Sequence, residues 1–129
     1  MKFTEDTAVE YRTQWGSIEK LYFHLAIYDY DKSIGVITTT YNDLYHMDEP
    51  FGNVTVCLDC HPKKNRAYID INNLPGIDEL LIKNGIAKPT GNVRQSGFVS
   101  YPEFEFSTSF LRGISEDVYN RYLTINGWK

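Results

Sequence analysis

Leu21-Tyr22-Phe23-His24-Leu25-Ala26-Ile27-Tyr28 is the stretch on which the fold turns. Leu21, Phe23, Leu25 and Ile27 alternate with Tyr22, His24, Ala26 and Tyr28. That period of two belongs to a half-buried strand. Asp29 to Ser33 then reads as a turn and the β-branched run Gly35 to Thr40 as the returning strand. Upstream, Val9, Tyr11 and Thr13 alternate with polar residues and suggest an edge strand.

Downstream, the breakers Asp48-Glu49-Pro50 and Gly52-Asn53 make residues 41–53 a loop. Val54 to Leu58 reads as the next strand, His61 to Arg66 as a polar turn, and Ala67 to Ile71 as the strand closing a hairpin. A helix follows, with Pro75 in its entry, Asp78 and Glu79 at its positive end, Ile77, Leu80 and Leu81 on one face, and Gly85 as its stop. The glycine-rich residues 86–101 read as a long ordered loop, and Glu103 to Phe106 as a last strand. Ser115 caps a second helix with the stripe Val118, Tyr119, Tyr122 and Leu123, stopped at Gly127. The expectation is one α+β domain over residues 1–129, a mainly antiparallel sheet with two helices.

Composition fits that class. Of 129 residues, 42% are hydrophobic and 23% charged, the balance of a globular chain. Ten Tyr, seven Phe and two Trp exceed what a small core hides, and Tyr suits both sheets and recognition surfaces. The net charge of −4 disfavours direct nucleic-acid binding and suits approach to a basic partner. No apolar run approaches the ~20 residues of a membrane span. The N-terminus lacks a charged-then-apolar signal pattern, so a reducing cytoplasm is the expected location.

Cys57-Leu58-Asp59-Cys60-His61 carries the most chemistry. The string matches c-type haem attachment, but that requires export, and Pro62 sits directly behind His61. A redox dithiol needs a helix N-terminus to lower its thiol pKa, and no helix is expected at Cys60. The third reading is zinc: two thiolates at a strand end can turn toward one ion. If the Leu21–Tyr28 strand neighbours the cysteine strand, His24 projects from the same face as Cys57. The expected ligand set is then His24, Cys57, Cys60 and His61, a closed structural site, with His46 and Asp59 in reserve. Two reduced, packed cysteines are the remaining possibility.

Other stretches carry less. Lys63, Lys64 and Arg66 form a basic turn, read as solvated. Gly91 to Gly97 lacks the Gly-Lys-Ser/Thr ending of a phosphate loop. No catalytic set is identified.

Glu49-Pro50-Phe51-Gly52-Asn53-Val54-Thr55-Val56, Asn73-Leu74-Pro75-Gly76, Asn84-Gly85-Ile86, Pro89-Thr90-Gly91, Ser96-Gly97-Phe98 and Tyr101-Pro102 together resemble a family of short bacterial proteins of unknown function carried on plasmids, conjugative elements and prophages. The resemblance runs from about Leu21 to Phe110. His24, Cys57, Cys60 and His61 depart from the family pattern, which makes the cluster an addition. The resemblance implies a non-enzymatic inhibitor of a bacterial defence protein, similar to a zinc-containing type II-A anti-CRISPR that binds Cas9 and blocks guide or target DNA engagement. The alternatives are a metal- or thiol-dependent enzyme and a conjugation accessory protein.

Overall fold

A computed structural model describes residues 3–128. The chain begins with four antiparallel strands in sequential order: β1 (Ala8–Arg12), β2 (Ile18–Ile27), β3 (Ile34–Asn42) and β4 (Met47–Asn53). The second sheet comprises β5 (Thr55–Val56), β6 (Arg66–Ile69), β7 (Ala87–Ser96) and β8 (Val99–Phe106), in the order β5-β6-β8-β7. Three helices complete it: α1 (Ile77–Lys83), α2 (Thr108–Ile114) and α3 (Glu116–Ile125).

The architecture is therefore α+β with antiparallel pairing, as the alternation predicts, but with two sheets and three helices instead of one and two. Val54 is the junction between sheets. Its N–H donates to Val36 O and its carbonyl accepts from Asp70 N–H, each at 2.9 Å. One residue thus ties β3 to the end of β6.

Phe110 shows how the sheets share a core. Its ring meets Phe3 at 5.4 Å, Phe23 of β2 at 5.5 Å and Phe106 of β8 at 6.2 Å. Burying one such ring contributes roughly 1.5–3 kcal/mol, and edge contacts add to it. The core runs on through Leu21, Val36, Ile69, Leu81, Leu111 and Tyr119.

Residues 41–53 are not a loop. Their C-terminal part is β4, an edge strand in which Pro50 faces Thr39. Proline is tolerated at an edge because no further strand needs its missing N–H. The same reason corrects residues 86–101, where β7 holds Pro89 and is also an edge. Gly97 (φ 63°) turns β7 into β8. α2 was unexpected. Ser107 caps it by accepting from Phe110 N–H at 3.1 Å, and Phe110, Leu111 and Ile114 face the core. The predicted caps elsewhere hold: Ser115 accepts from Val118 N–H, while Gly85 and Gly127 follow α1 and α3 with positive φ. Among the described residues, no helix is long and apolar enough to cross a membrane.

Candidate functional site: a buried carboxylate beside the cysteine turn

The expected neighbourhood of His24 and Cys57 is not found. β2 lies between β1 and β3, whereas the cysteines follow β5 in the other sheet. Nor does the strand expected over Val54 to Leu58 reach Cys57: it ends at Val56, and Val54 and Thr55 are both buried.

His24 is held elsewhere. Its Nδ1 lies 3.1 Å from Glu5 Oε2 and its Nε2 lies 2.8 Å from Thr39 Oγ1. With Asp6, Tyr22, Tyr41 and Asp48 it lines an open hollow of about 540 Å³. A hydroxyl, an imidazole and a carboxylate are thereby joined in series. His46 sits in the exposed β3–β4 turn with φ 52°.

The cysteine turn gathers around a different residue, Asp31. Only 1% of Asp31 is exposed. It lies in the β2–β3 turn, where its Oδ1 accepts from Ser33 N–H at 3.0 Å and from Ser33 Oγ–H at 2.6 Å. Its Oδ2 is the one buried side-chain oxygen or nitrogen, among the described residues, without a hydrogen bond of sound geometry. Burial alone would raise the carboxyl's pKa. Hydrogen bonds from Ser33, an interaction with the Cys57 thiol and the nearby His61 outweigh that and hold it below the ordinary carboxylate range.

His61 approaches the same turn. Its Nδ1–H donates to the Asp31 backbone carbonyl at 3.1 Å, which leaves Nε2 with its lone pair. The backbone of Asp59 (φ 52°) and His61 (φ 49°) is left-handed, which folds the segment tightly.

The two thiols turn to different neighbours. Cys57 interacts with Asp31, and Cys60 with Tyr68 of β6. Burial pushes both thiols up; the Asp31 carboxylate adds to this at Cys57, while Arg94 and Tyr68 only partly offset it at Cys60. That is opposite to the depressed thiol pKa of a redox C-x-x-C pair. Among the described residues, no three His, Cys, Asp or Glu side chains already meet at one point suited to a metal ion.

Asp31 is the residue that sequence reasoning missed. Asp-x-Ser in a turn signals a side-chain cap of the backbone. Nothing in that signal says that the second carboxylate oxygen is buried against a segment 26 residues downstream.

Large side chains also stand exposed at two hairpin ends. Leu44, Tyr45 and Met47 surround the β3–β4 turn, and Phe98 projects fully from the β7–β8 turn. In the first, Asn42 Oδ1 accepts from Leu44 N–H at 2.9 Å and from Tyr45 N–H at 3.2 Å, which fixes the turn that displays them.

No curated protein and no solved structure matches the chain. Residues 23–125 match the model of a family described as a domain of unknown function, DUF4313. That span runs from within β2 to the end of α3 and takes in all of the second sheet, the cysteine turn and all three helices, leaving out β1 and the start of β2. It covers well over half of the sequence, and the protein belongs to the DUF4313 family.

Proposed function

We propose that this chain is a non-enzymatic inhibitor that works by binding another protein, and that its partner is a bacterial defence nuclease, Cas9. The observation that carries the binding reading is the display of Leu44, Tyr45, Met47 and Phe98 on ordered hairpin ends. Large apolar and aromatic groups held outward on rigid turns are the anchors of protein interfaces. The net charge of −4 supports approach to the basic nucleic-acid channels of such a nuclease. The choice of Cas9 is supported by the resemblance to small proteins of mobile elements.

The test is inhibition of target cleavage by the Cas9–guide complex, with direct binding measured in parallel. Wild type is expected to bind and inhibit. Phe98→Ser and the triple change Leu44→Ser, Tyr45→Ser, Met47→Ser are expected to weaken binding at least tenfold, about 1.4 kcal/mol, with the fold retained. Undiminished cleavage at large molar excess removes Cas9 as the partner.

A second, enzymatic reading is favoured by the Thr39–His24–Glu5 series. Its connectivity is that of a nucleophile, a base and an orienting carboxylate. Turnover of an activated ester that disappears in His24→Ala would support it, and equal background rates in the two proteins would dismiss it.

A further inference from the structure

A buried carboxylate with an oxygen left unfilled and no ion pair calls for an explanation. Asp31 is in that position: it is 1% exposed, its Oδ2 is unserved, and the ion pairs found among the described residues do not include it. A water molecule would complete the hydrogen bonding and leave the charge. A cation answers both.

The surroundings choose the cation. Beside the carboxylate stands a thiol, Cys57. His61 donates its Nδ1–H to a backbone carbonyl of the same turn, which leaves Nε2 as the nitrogen available to a metal. Sulfur, imidazole and carboxylate together favour Zn2+ over Ca2+ or Mg2+, which take oxygen alone. Three residues beyond Cys57, Cys60 supplies a second sulfur on the same tight turn.

We propose that Asp31 Oδ2, Cys57 Sγ, Cys60 Sγ and His61 Nε2 form a closed, tetrahedral zinc site, and that His24 lies outside it. The site links the β2–β3 turn of the first sheet to the segment leaving β5 in the second. Binding needs Cys60 to leave Tyr68 and His61 to swing Nε2 inward. Both residues sit on a short turn that carries no core side chain, so the movement leaves the core intact. Each thiol gives up its proton to solvent as its sulfur bonds the metal, so uptake of one Zn2+ releases two protons. The four ligands carry three negative charges against the ion's two. Asp31 Oδ2 thus gains a bonded partner, and the site adds a metal link between the two sheets to the hydrogen bonds already there. This assignment is independent of the protein partner proposed above.

The experiment is titration of the chelator-treated full-length protein with Co2+ and then Zn2+, read by absorbance and thermal unfolding. Wild type is expected to take one Co2+ with tetrahedral visible bands and a sulfur-to-cobalt charge-transfer band. Zn2+ should bleach both and raise the melting temperature. Asp31→Asn keeps the Oδ1 acceptor that Ser33 uses, so the turn is retained, and metal affinity is expected to fall by more than the roughly 10–100-fold typical of losing an outer-shell partner. Cys57→Ser should reduce the charge-transfer band by about half and weaken binding further, while His24→Ala should bind as wild type does. No uptake by the wild type overturns the proposal. So does unchanged affinity in Asp31→Asn, or loss of binding in His24→Ala. If Asp31→Asn proves unfolded, Cys57→Ser decides in its place: an unaltered cobalt spectrum in that variant overturns the assignment.

Discussion

Replacing Asn65 by Ala tests how the helices are fastened to the second sheet. Asn65 is buried, with φ 65°, in the turn leading into β6. Its Oδ1 accepts from Tyr119 Oη–H at 2.8 Å and its Nδ2 donates to Thr108 Oγ1 at 2.9 Å. Its backbone N–H donates to Tyr122 Oη at 2.9 Å, and its carbonyl accepts from Phe106 N–H at 2.7 Å. One residue therefore joins α2 and α3, through its side chain, to β8, through its backbone carbonyl. In the alanine variant, the hydroxyl of Tyr119, which is fully buried, loses its acceptor, at a cost of about 1–3 kcal/mol. Holding Ala in the left-handed region costs about 1 kcal/mol more, a conformation Asn tolerates. The sum is about 3 kcal/mol. Unfolding entropy of roughly 2.1 cal/mol/K per residue over 129 residues converts this to a fall of about 11 °C in Tm. Thermal unfolding followed by circular dichroism measures it. Asn65→Gly loses the same hydrogen bonds without the backbone strain and should lie above Asn65→Ala. Tyr119→Phe removes the hydrogen bond from the other side, so the double variant should fall short of additivity by about 1 kcal/mol. A melting temperature within about 3 °C of wild type for Asn65→Ala, or strict additivity with Tyr119→Phe, would refute the reasoning.

Three further outcomes follow from the same structure. Burial pushes Tyr122 up to about 12, so its neutral form is favoured by folding. Its contribution is intact below pH 10, the unfolded value, and declines as pH rises from 10 toward 12, by roughly 2–3 kcal/mol in all; denaturant titrations across that range should show a decline that flattens in Tyr122→Phe. Ser115→Ala removes the acceptor for Val118 N–H at the start of α3 and should cost about 1 kcal/mol by chemical denaturation, with no change in denaturant slope. Gly113→Ala should destabilise despite Ala's better helix propensity, because the new Cβ would lie 2.1 Å from the Phe3 carbonyl oxygen; a Tm equal to or above wild type would show that the N-terminal segment moves aside freely.

Much of the strand pattern was legible because burial on one face writes itself as period two. Leu21, Phe23 and Leu25 carry it clearly, and β2 and β3 lie where they predict. The helix ends were legible for a local reason as well, since Ser115, Gly85 and Gly127 act on backbone groups within a few residues. β4 and β7 escaped because edge strands need no continuous β-forming run. Pro50 and Pro89 read as breakers until a neighbour exists on one side only. α2 escaped because it has only seven residues and holds Gly113, although Ser107 before Phe110, Leu111 and Ile114 was a usable signal.

At the candidate site, the sequence by itself determined the chemistry on offer: two thiols and an imidazole within five residues, on a segment bent by Pro62. It also determined the antiparallel α+β class and the aromatic surplus. Only the tertiary structure decided which groups meet. His24 shares a strand face with Thr39 and takes Glu5 from the N-terminal segment, because β2 pairs with β3 and not with the cysteine strand. Asp31 meets Cys57 and His61 because Val54 hands the chain from one sheet to the other and brings the β2–β3 turn against the segment after β5. Periodicity is set by local burial and is readable along the chain. The pairing of strands far apart in sequence is set by how the two sheets bury a common core around Phe110, and no local pattern encodes it.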